Sequence, residues 1–382
     1  MNRLQNSKPL SGILVIDFTH VLSGPFCTMM LADQGARVIK IEQPGTGDDS
    51  RAFGPFYEDH SSVYFEFVNR GKESITLNLK DADDLNLAKR MISRADVVVE
   101  NFRPGTMERL GLAPDDLLKQ YPRLIVCSIS GFGQTGPMKL EPAYDTVVQA
   151  LSGLMSVTGF PDSNPTRVGT SISDLTAGLF AYSAITTALV GRQRTGKGTT
   201  IDIAMLDGTF ALLEHGLMDA LAENIDPKRI GNAHPSIAPF DAYQCADRML
   251  AICCGNDHLF GKLCDTLGLA EAKTDPRYVT NDKRMQNLAS LKESMETVLM
   301  TQPATVWSEK LQESGIPAGL VQTVTEAEQM QQIREREMIV TVGNRQYPGN
   351  PIKFGGFDSS CADTPPPALG SDNDKIRDYF NQ

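Results

Sequence analysis

The sequence predicts an α/β protein with a doubly wound, Rossmann-like parallel sheet and a second, smaller α+β domain. Two observations predict it. The first half alternates short β-branched runs with helical segments. The resulting βαβ units imply a parallel sheet. The texture changes at Gly231–Pro239 (GNAHPSIAP), a run of turn formers.

Taken in order, Gly12–Phe18 (GILVIDF) reads as a buried strand, Pro25–Gln34 as a helix with Pro near its start, and Ala36–Glu42 (ARVIKIE) as the next strand. This is one βαβ unit. Asp83–Arg94 reads as a helix and Asp96–Asn101 (DVVVEN) as a strand; Pro114–Gln120 and Leu124–Ser130 (LIVCSIS) repeat the pattern. Asp174–Arg194 reads as a long helix rich in small residues. A turn at Thr195–Gly198 leads to the strand Thr200–Met205 and the helix Asp207–Ala222. Beyond the texture change, Gln244–Asp247 and Met249–Cys254 read as a strand pair before several helices. Met338–Gly343 and Pro348–Gly355 read as returning strands. The expected divisions are therefore 1–225, 226–333 and 334–382. In an open sheet of this kind ligands bind beyond the carboxyl ends of the strands, so chemistry is expected after Asp17, Glu42, Asn101 and Ser130.

Composition narrows the function classes. The chain has 382 residues, 41% hydrophobic and 22% charged, within the ordinary globular range. A net charge of −11 argues against nucleic-acid binding. No uninterrupted apolar run of about 18 residues occurs, so no membrane span is expected. The start, MNRLQNSKPLSG, has no apolar signal region, and seven cysteines without a CxxC pair suit reduced thiols; the expected location is the cytoplasm. The five histidines, at 20, 60, 215, 234 and 258, never pair at metal-ligand spacing, so no metal is expected.

Two motifs need weighing. Gly131–Gly136 (GFGQTG) matches GxGxxG after a strand, but Pro137 follows at once and no acidic residue stands roughly 20 positions on to hold a ribose. Gly191–Lys197 (GRQRTGK) is followed by Gly198 where a P-loop needs Ser or Thr, and it runs from helix to strand, the reverse of P-loop order. A helix cap and turn is the simpler reading. Asp174 at the start of the long helix is a cap or a functional anion; the residues alone leave both open.

An ordered set of segments decides further. Asp17–Pro25 (DFTHVLSGP), Arg37–Gly45 (RVIKIEQPG), Asn69–Leu79 (NRGKESITLNL), Val99–Gly105 (VENFRPG), Arg109–Gly111 (RLG), Ser130–Pro137 (SGFGQTGP), Gly169–Gly178 (GTSISDLTAG), Thr195–Gly198 (TGKG) and Gly231–His234 (GNAH) span most of the chain. Together they resemble the class III CoA-transferases, the family of formyl-CoA:oxalate and carnitine CoA-transferases. The resemblance implies a large domain made from both termini, a small domain between, and a homodimer of interlocked chains.

It also implies the chemistry. Asp174 is the expected nucleophile. It attacks the acyl-CoA thioester to give a mixed anhydride and CoA thiolate; the thiolate then attacks the aspartyl carbonyl to give an aspartyl-CoA thioester. The acceptor carboxylate reverses these steps and leaves as its own CoA ester. Such covalent relays divide one difficult exchange into easier ones. A nucleophilic carboxylate must be ionised, which a helix start favours. By matching positions, Val21 and Leu22 line the CoA channel, Leu77, Asn78, Leu79, Lys80, Asn101, Phe102 and Arg103 hold the nucleotide, and Arg109 meets a phosphate. Gln43 stands where relatives often carry arginine, so that contact is expected to be weaker. Tyr144 and Asp145 are expected near the reaction centre. Gly133, in one glycine-rich loop, and His234, in a second, are expected at oxyanion-donating or mobile loops, with plain turn chemistry as the alternative. Leu22 replaces a glutamine of the formyl-CoA enzymes, which argues against formyl-CoA as donor. The resemblance favours acetyl-CoA as donor and oxalate as acceptor, with formyl-CoA or succinyl-CoA as alternative donors and CoA thioesters as substrates rather than a resident cofactor. The α-methylacyl-CoA racemases share the fold but carry histidine where Tyr144 stands; without it two-base proton transfer lacks a partner.

Overall fold

In a computed structural model, which describes residues 7–382, six parallel strands form one sheet: β1 (Leu14–Asp17), β2 (Arg37–Glu42), β3 (Lys72–Thr76), β4 (Val97–Glu100), β5 (Ile125–Ser130) and β6 (Thr199–Ala204). Met1–Asn6, where the expected large domain begins, lie outside the described residues. The strand order is β3-β2-β1-β4-β5-β6, so the winding reverses between β1 and β4. β3, which the sequence offered only as part of a motif, extends the sheet beside β2.

Strand alternation builds two cores. Ile16, Ile39, Ile75, Val98 and Val126 point to one face, under the helices Ala82–Arg94, Pro114–Gln120 and Asn373–Asn381. Val15, Val38, Val97, Val99 and Ile125 point to the other, under Ser23–Asp33 and Ile172–Thr195. With nothing left facing water, a continuous apolar run is the stable pattern. The helix Ile172–Thr195 is long and apolar enough to cross a membrane by length and composition. Here Ala177, Ala181, Ile185 and Leu189 pack it into the second core. Gly178 lies where a Cβ would meet the Ser23 carbonyl oxygen at 2.7 Å, so glycine lets this helix and Ser23–Asp33 touch. The edge of β3 is finished by side chains: the N–H groups of Ser74 and Thr76 donate to Asp372 (3.0 Å) and Asn373 (2.8 Å).

The chain divides into two compact units. The larger takes the residues up to Met155, Arg167–Leu213 and Gln331–Gln382; the smaller takes Ser156–Thr166 and Glu214–Met330. These divisions differ from the expected 225/226 and 333/334. The expected helix Asp207–Ala222 is broken: Met205–Ala211 ends, Glu214 turns to φ +35°, and Glu214–Met218 with the π-turn Asp219–Glu223 starts the smaller unit. The segment 156–166 joins it because Gly231 N–H donates to Gly159 O (3.0 Å) and Arg229 to Ser156 O (3.2 Å).

The smaller unit has a three-stranded antiparallel sheet of Phe240–Gln244, Met249–Cys253 and Ala318–Leu320, covered by helices around Leu250, Phe260, Leu291 and Trp307. The expected strand Gln244–Asp247 lies earlier, because Cys245–Arg248 closes the turn. Of the expected returning strands, Met338–Gly343 contains the strand Ile339–Val342, which turns at Gly343 (φ +63°) into a hairpin with Arg345–Pro348; Pro348–Gly355 is not a strand.

Candidate functional site

The reversal between β1 and β4 leaves the loops after β1, β4 and β5 facing one another, the usual place for a ligand. A cavity of about 270 Å3 lies there. Val21, Leu22, Asn101, Arg103, Tyr144 and Asp174 line it, so the structure brings together residues from four separate stretches. A second cavity, of about 420 Å3, lies beyond β2 and β3; Gln43, Leu77, Asn78, Leu79, Lys80 and Phe102 line it. His20 and Phe102 belong to both. Their rings stack with centroids 6.1 Å apart, a wall that any ligand spanning the two cavities must cross.

Asp174 is the third residue of its helix, where backbone N–H groups without intrahelical partners face outward. Ser171 at the cap position makes no side-chain cap bond. The cap comes from another helix: Asp145 Oδ1 accepts the Ser173 N–H at 2.9 Å, while Asp145 Oδ2 accepts from Gln149 Nε2 at 2.7 Å. Gln149 is fully buried and its Oε1 accepts the Val168 N–H, which fixes this bracket. The capping role left open for Asp174 thus belongs to Asp145, which is itself buried.

The electrostatics differ from the expectation of a readily ionised carboxylate. Burial, then the neighbouring Asp145 charge, push Asp174 up to about 7, against a hydrogen bond from Ser23. A carboxyl poised there changes charge near neutrality, a property concentrated at reactive sites. Tyr64, which the sequence reading missed, feels the same field. Burial and the carboxylates of Asp174, Asp48 and Asp145 push its phenol up to about 12. Its stretch, VYFEF, looks like ordinary aromatic core, and no local signal marks it. Lys139 and Glu141, also missed, line the smaller cavity from the loop after β5.

Other expected residues fall elsewhere. Gly133 has left-handed backbone (φ +83°), but its N–H donates to Ser130 Oγ (2.9 Å) and it does not line the cavity; Gly131 does. A Cβ on Gly131 would meet that of Ala143 at 2.2 Å, so close packing, not dinucleotide binding, requires this glycine. Arg109 lines neither cavity. It bonds Thr106 Oγ1 (2.8 Å), and Thr106 lines the larger one. His234 lies in the smaller unit, its Nδ1 accepting the Ser236 N–H at 3.1 Å and its ring against Phe240. Gly196, at φ +73°, caps the long helix where the P-loop-like stretch stood. Among the described residues no group of three or more His, Cys, Asp or Glu is arranged to hold a metal.

Comparison with known proteins identifies the family of this chain. A family model described as CoA-transferase family III matches residues 10–373. The acetyl-CoA:oxalate CoA-transferase of Acetobacter aceti is 52% identical over 97% of this chain and 96% of its own length. The succinyl-CoA:glutarate CoA-transferase of Mus musculus is 40% identical over 95% of this chain and 84% of its own. Among solved structures, a CaiB/BaiF family protein from Brucella suis superposes with a TM-score of 0.88 at 38% identity, covering 98% of this chain and 100% of that one. A protein of M. tuberculosis superposes at 0.89 with 31% identity, covering 97% and 100%. Similarity along nearly the whole length, on a sheet whose reversal holds Asp174, makes this chain a member of CoA-transferase family III and an enzyme of that class.

Proposed function

We propose that this enzyme moves CoA from acetyl-CoA to oxalate through Asp174. The observation that supports the substrate pair most is the 52% identity, over almost the full length of both chains, to the acetyl-CoA:oxalate enzyme. The larger cavity takes the nucleotide of CoA, with Lys80 as the cation for phosphate. The pantetheine arm passes the His20–Phe102 pair, and the thioester meets Asp174 in the smaller cavity. The Asp174 carboxylate attacks the acetyl carbonyl; the C–S bond breaks, thiolate leaves and the anhydride remains. Thiolate attacks the aspartyl carbonyl and releases acetate, leaving an aspartyl-CoA thioester. Oxalate attacks this thioester, thiolate leaves again, and its attack on the oxalyl carbonyl frees Asp174 and oxalyl-CoA. Every proton-free step exchanges one acyl bond for another, which is why the reaction needs no resident cofactor.

Succinyl-CoA as donor is the second reading, favoured by relatives named for it at 40% and 37% identity. Incubating the enzyme with acetyl-, formyl- or succinyl-CoA and a panel of carboxylates, and weighing new thioesters by mass spectrometry, tests both. Oxalyl-CoA from acetyl-CoA is expected. A clear preference for succinyl-CoA and a longer dicarboxylate would overturn the pair. Borohydride trapping of the Asp174 thioester in a turnover mixture tests the covalent step.

We also propose a cytoplasmic, interlocked homodimer. The seven described cysteines are all unpaired, and Leu179, Phe180 and Val190 stand exposed on the helix Ile172–Thr195 for a partner to cover. Light scattering at twice the 41.7 kDa chain mass is the expected result.

A further inference from the structure

Beneath the loop after β1 lies a cluster of charged side chains whose charged groups are enclosed, although Asp48 and Glu42 stand in the wall of the larger cavity. Lys40 and Asp48 pair at 2.8 Å with both side chains wholly enclosed. Lys72 and Asp17 pair at 3.1 Å, equally enclosed. Burial works against each charge, yet Asp48 is held well below the usual carboxylate range, chiefly by Lys40. Asp48, Asp17 and Glu42 likewise hold Lys40 above its ordinary value.

What the cluster grips is loop backbone, residue after residue. Asp17 accepts the Thr19 N–H (2.8 Å) and its hydroxyl (2.6 Å). Lys40 donates to the Thr19 carbonyl (2.6 Å). Asn101 brackets His20, accepting its N–H (2.9 Å) and donating to its carbonyl (2.8 Å). Asp48 Oδ1 accepts the Val21 N–H (3.0 Å) and is steadied by the Ser50 N–H (2.9 Å) and hydroxyl (2.7 Å). The sheet itself needs none of these bonds.

The strain is at Val21. Its φ is +66°, in the left-handed region that β-branched side chains avoid. Such a conformation persists only where the surroundings over-determine it, and it is a reason to look for function. Here it lets consecutive residues His20, Val21 and Leu22 all line the cavity that holds Asp174.

We propose that the buried Lys40–Asp48 pair is a positioning device for the acyl-CoA donor. It clamps the Val21 turn that walls the donor channel, so Asp48 sets donor affinity while its enclosed carboxylate touches no substrate. This rests on the reading that the loop binds acyl-CoA.

The test is steady-state kinetics, with CoA binding by calorimetry and a melting curve, on wild type, Asp48→Asn, Ser50→Ala and Asp48→Asn combined with Val21→Gly. Expected is a rise in donor KM of about threefold for Ser50→Ala and about tenfold for Asp48→Asn, with acceptor KM and kcat within about twofold. Glycine enters the left-handed turn unaided, so adding Val21→Gly recovers part of the loss. Should Asp48→Asn not fold, the milder Ser50→Ala decides. An unchanged donor KM in a folded variant overturns the inference, as does an equal fall in kcat with no change in KM. Wild type that neither binds CoA nor exchanges thioesters overturns the reading beneath it as well.

Discussion

The two cavities at the carboxyl end of the sheet both draw on several stretches of chain, but their walls carry different chemistry. The larger draws four of its residues from one run, Leu77–Lys80, at the end of β3. The smaller draws Val21, Asn101, Tyr144 and Asp174 from four stretches that only the strand order brings together. A binding surface for a long, flexible ligand is satisfied by a local run of backbone and a cation. A reacting centre needs a carboxyl, a charge that tunes it and a wall at fixed spacing. Here the carboxyl and the charge come from the starts of two helices, Ile172–Thr195 and Asp145–Leu151, and the wall from the loop after β1.

Removing the chemistry while keeping the binding is the strongest test of this division. Asp174→Ala is expected to lower transfer by at least about 10^3-fold while leaving CoA binding, read by calorimetry, nearly unchanged. Parallel loss of binding would mean that the two cavities are one functional unit. Next in size is Lys80→Ala. It is expected to raise donor KM roughly three- to tenfold and to flatten its salt dependence, with kcat kept. A fall in kcat instead would bring Lys80 into the reacting centre.

A third test acts within the smaller cavity. Asp174 is raised from 3.8 to about 7 by burial and by Asp145. The ionised form attacks, so kcat/KM should rise with pH through about 7 and then level. In Asp145→Asn the amide oxygen still accepts the Ser173 N–H but the charge is gone. The rising limb should move acidward by about half to one pH unit. An unmoved limb would leave Asp145 as a cap alone. The same shift governs stability. The folded state holds the Asp174 proton more tightly than the unfolded chain, so stability is present below pH 3.8 and lost as pH rises to about 7. Asp174→Asn should remove that loss, seen as a Tm advantage that is larger at pH 8 than at pH 4. The smallest expected effect is Gln43→Arg, which adds a cation to the larger cavity and should lower donor KM about two- to fourfold.

The same contrast explains what the sequence made legible. β1, β4 and β5 are mostly apolar runs and β2 is rich in β-branched residues, so composition alone outlined them. Lys72–Thr76 has a single apolar residue, Ile75, among four polar ones, and the C-terminal residues Asp372 and Asn373 satisfy its outer edge; it passed as a motif instead of a strand. The run Leu77–Lys80 was legible as one patch because it is contiguous, and it lines one cavity. Tyr64, Gln149 and the cap that Asp145 supplies were not, since each acts on a residue far off in sequence. Gly133 was misjudged because a glycine pattern says that backbone approaches something closely, not which N–H remains free.

The finished edge of β3 has a consequence for how the chain is made. Ser74 and Thr76 emerge from the ribosome long before Asp372 and Asn373, the residues that occupy their outward N–H groups. During synthesis that strand presents an open hydrogen-bonding row, which is a template for another nascent chain. A message truncated just before residue 372 would therefore yield a chain that lacks Ile376 and Phe380 from its first core and tends to aggregate through β3.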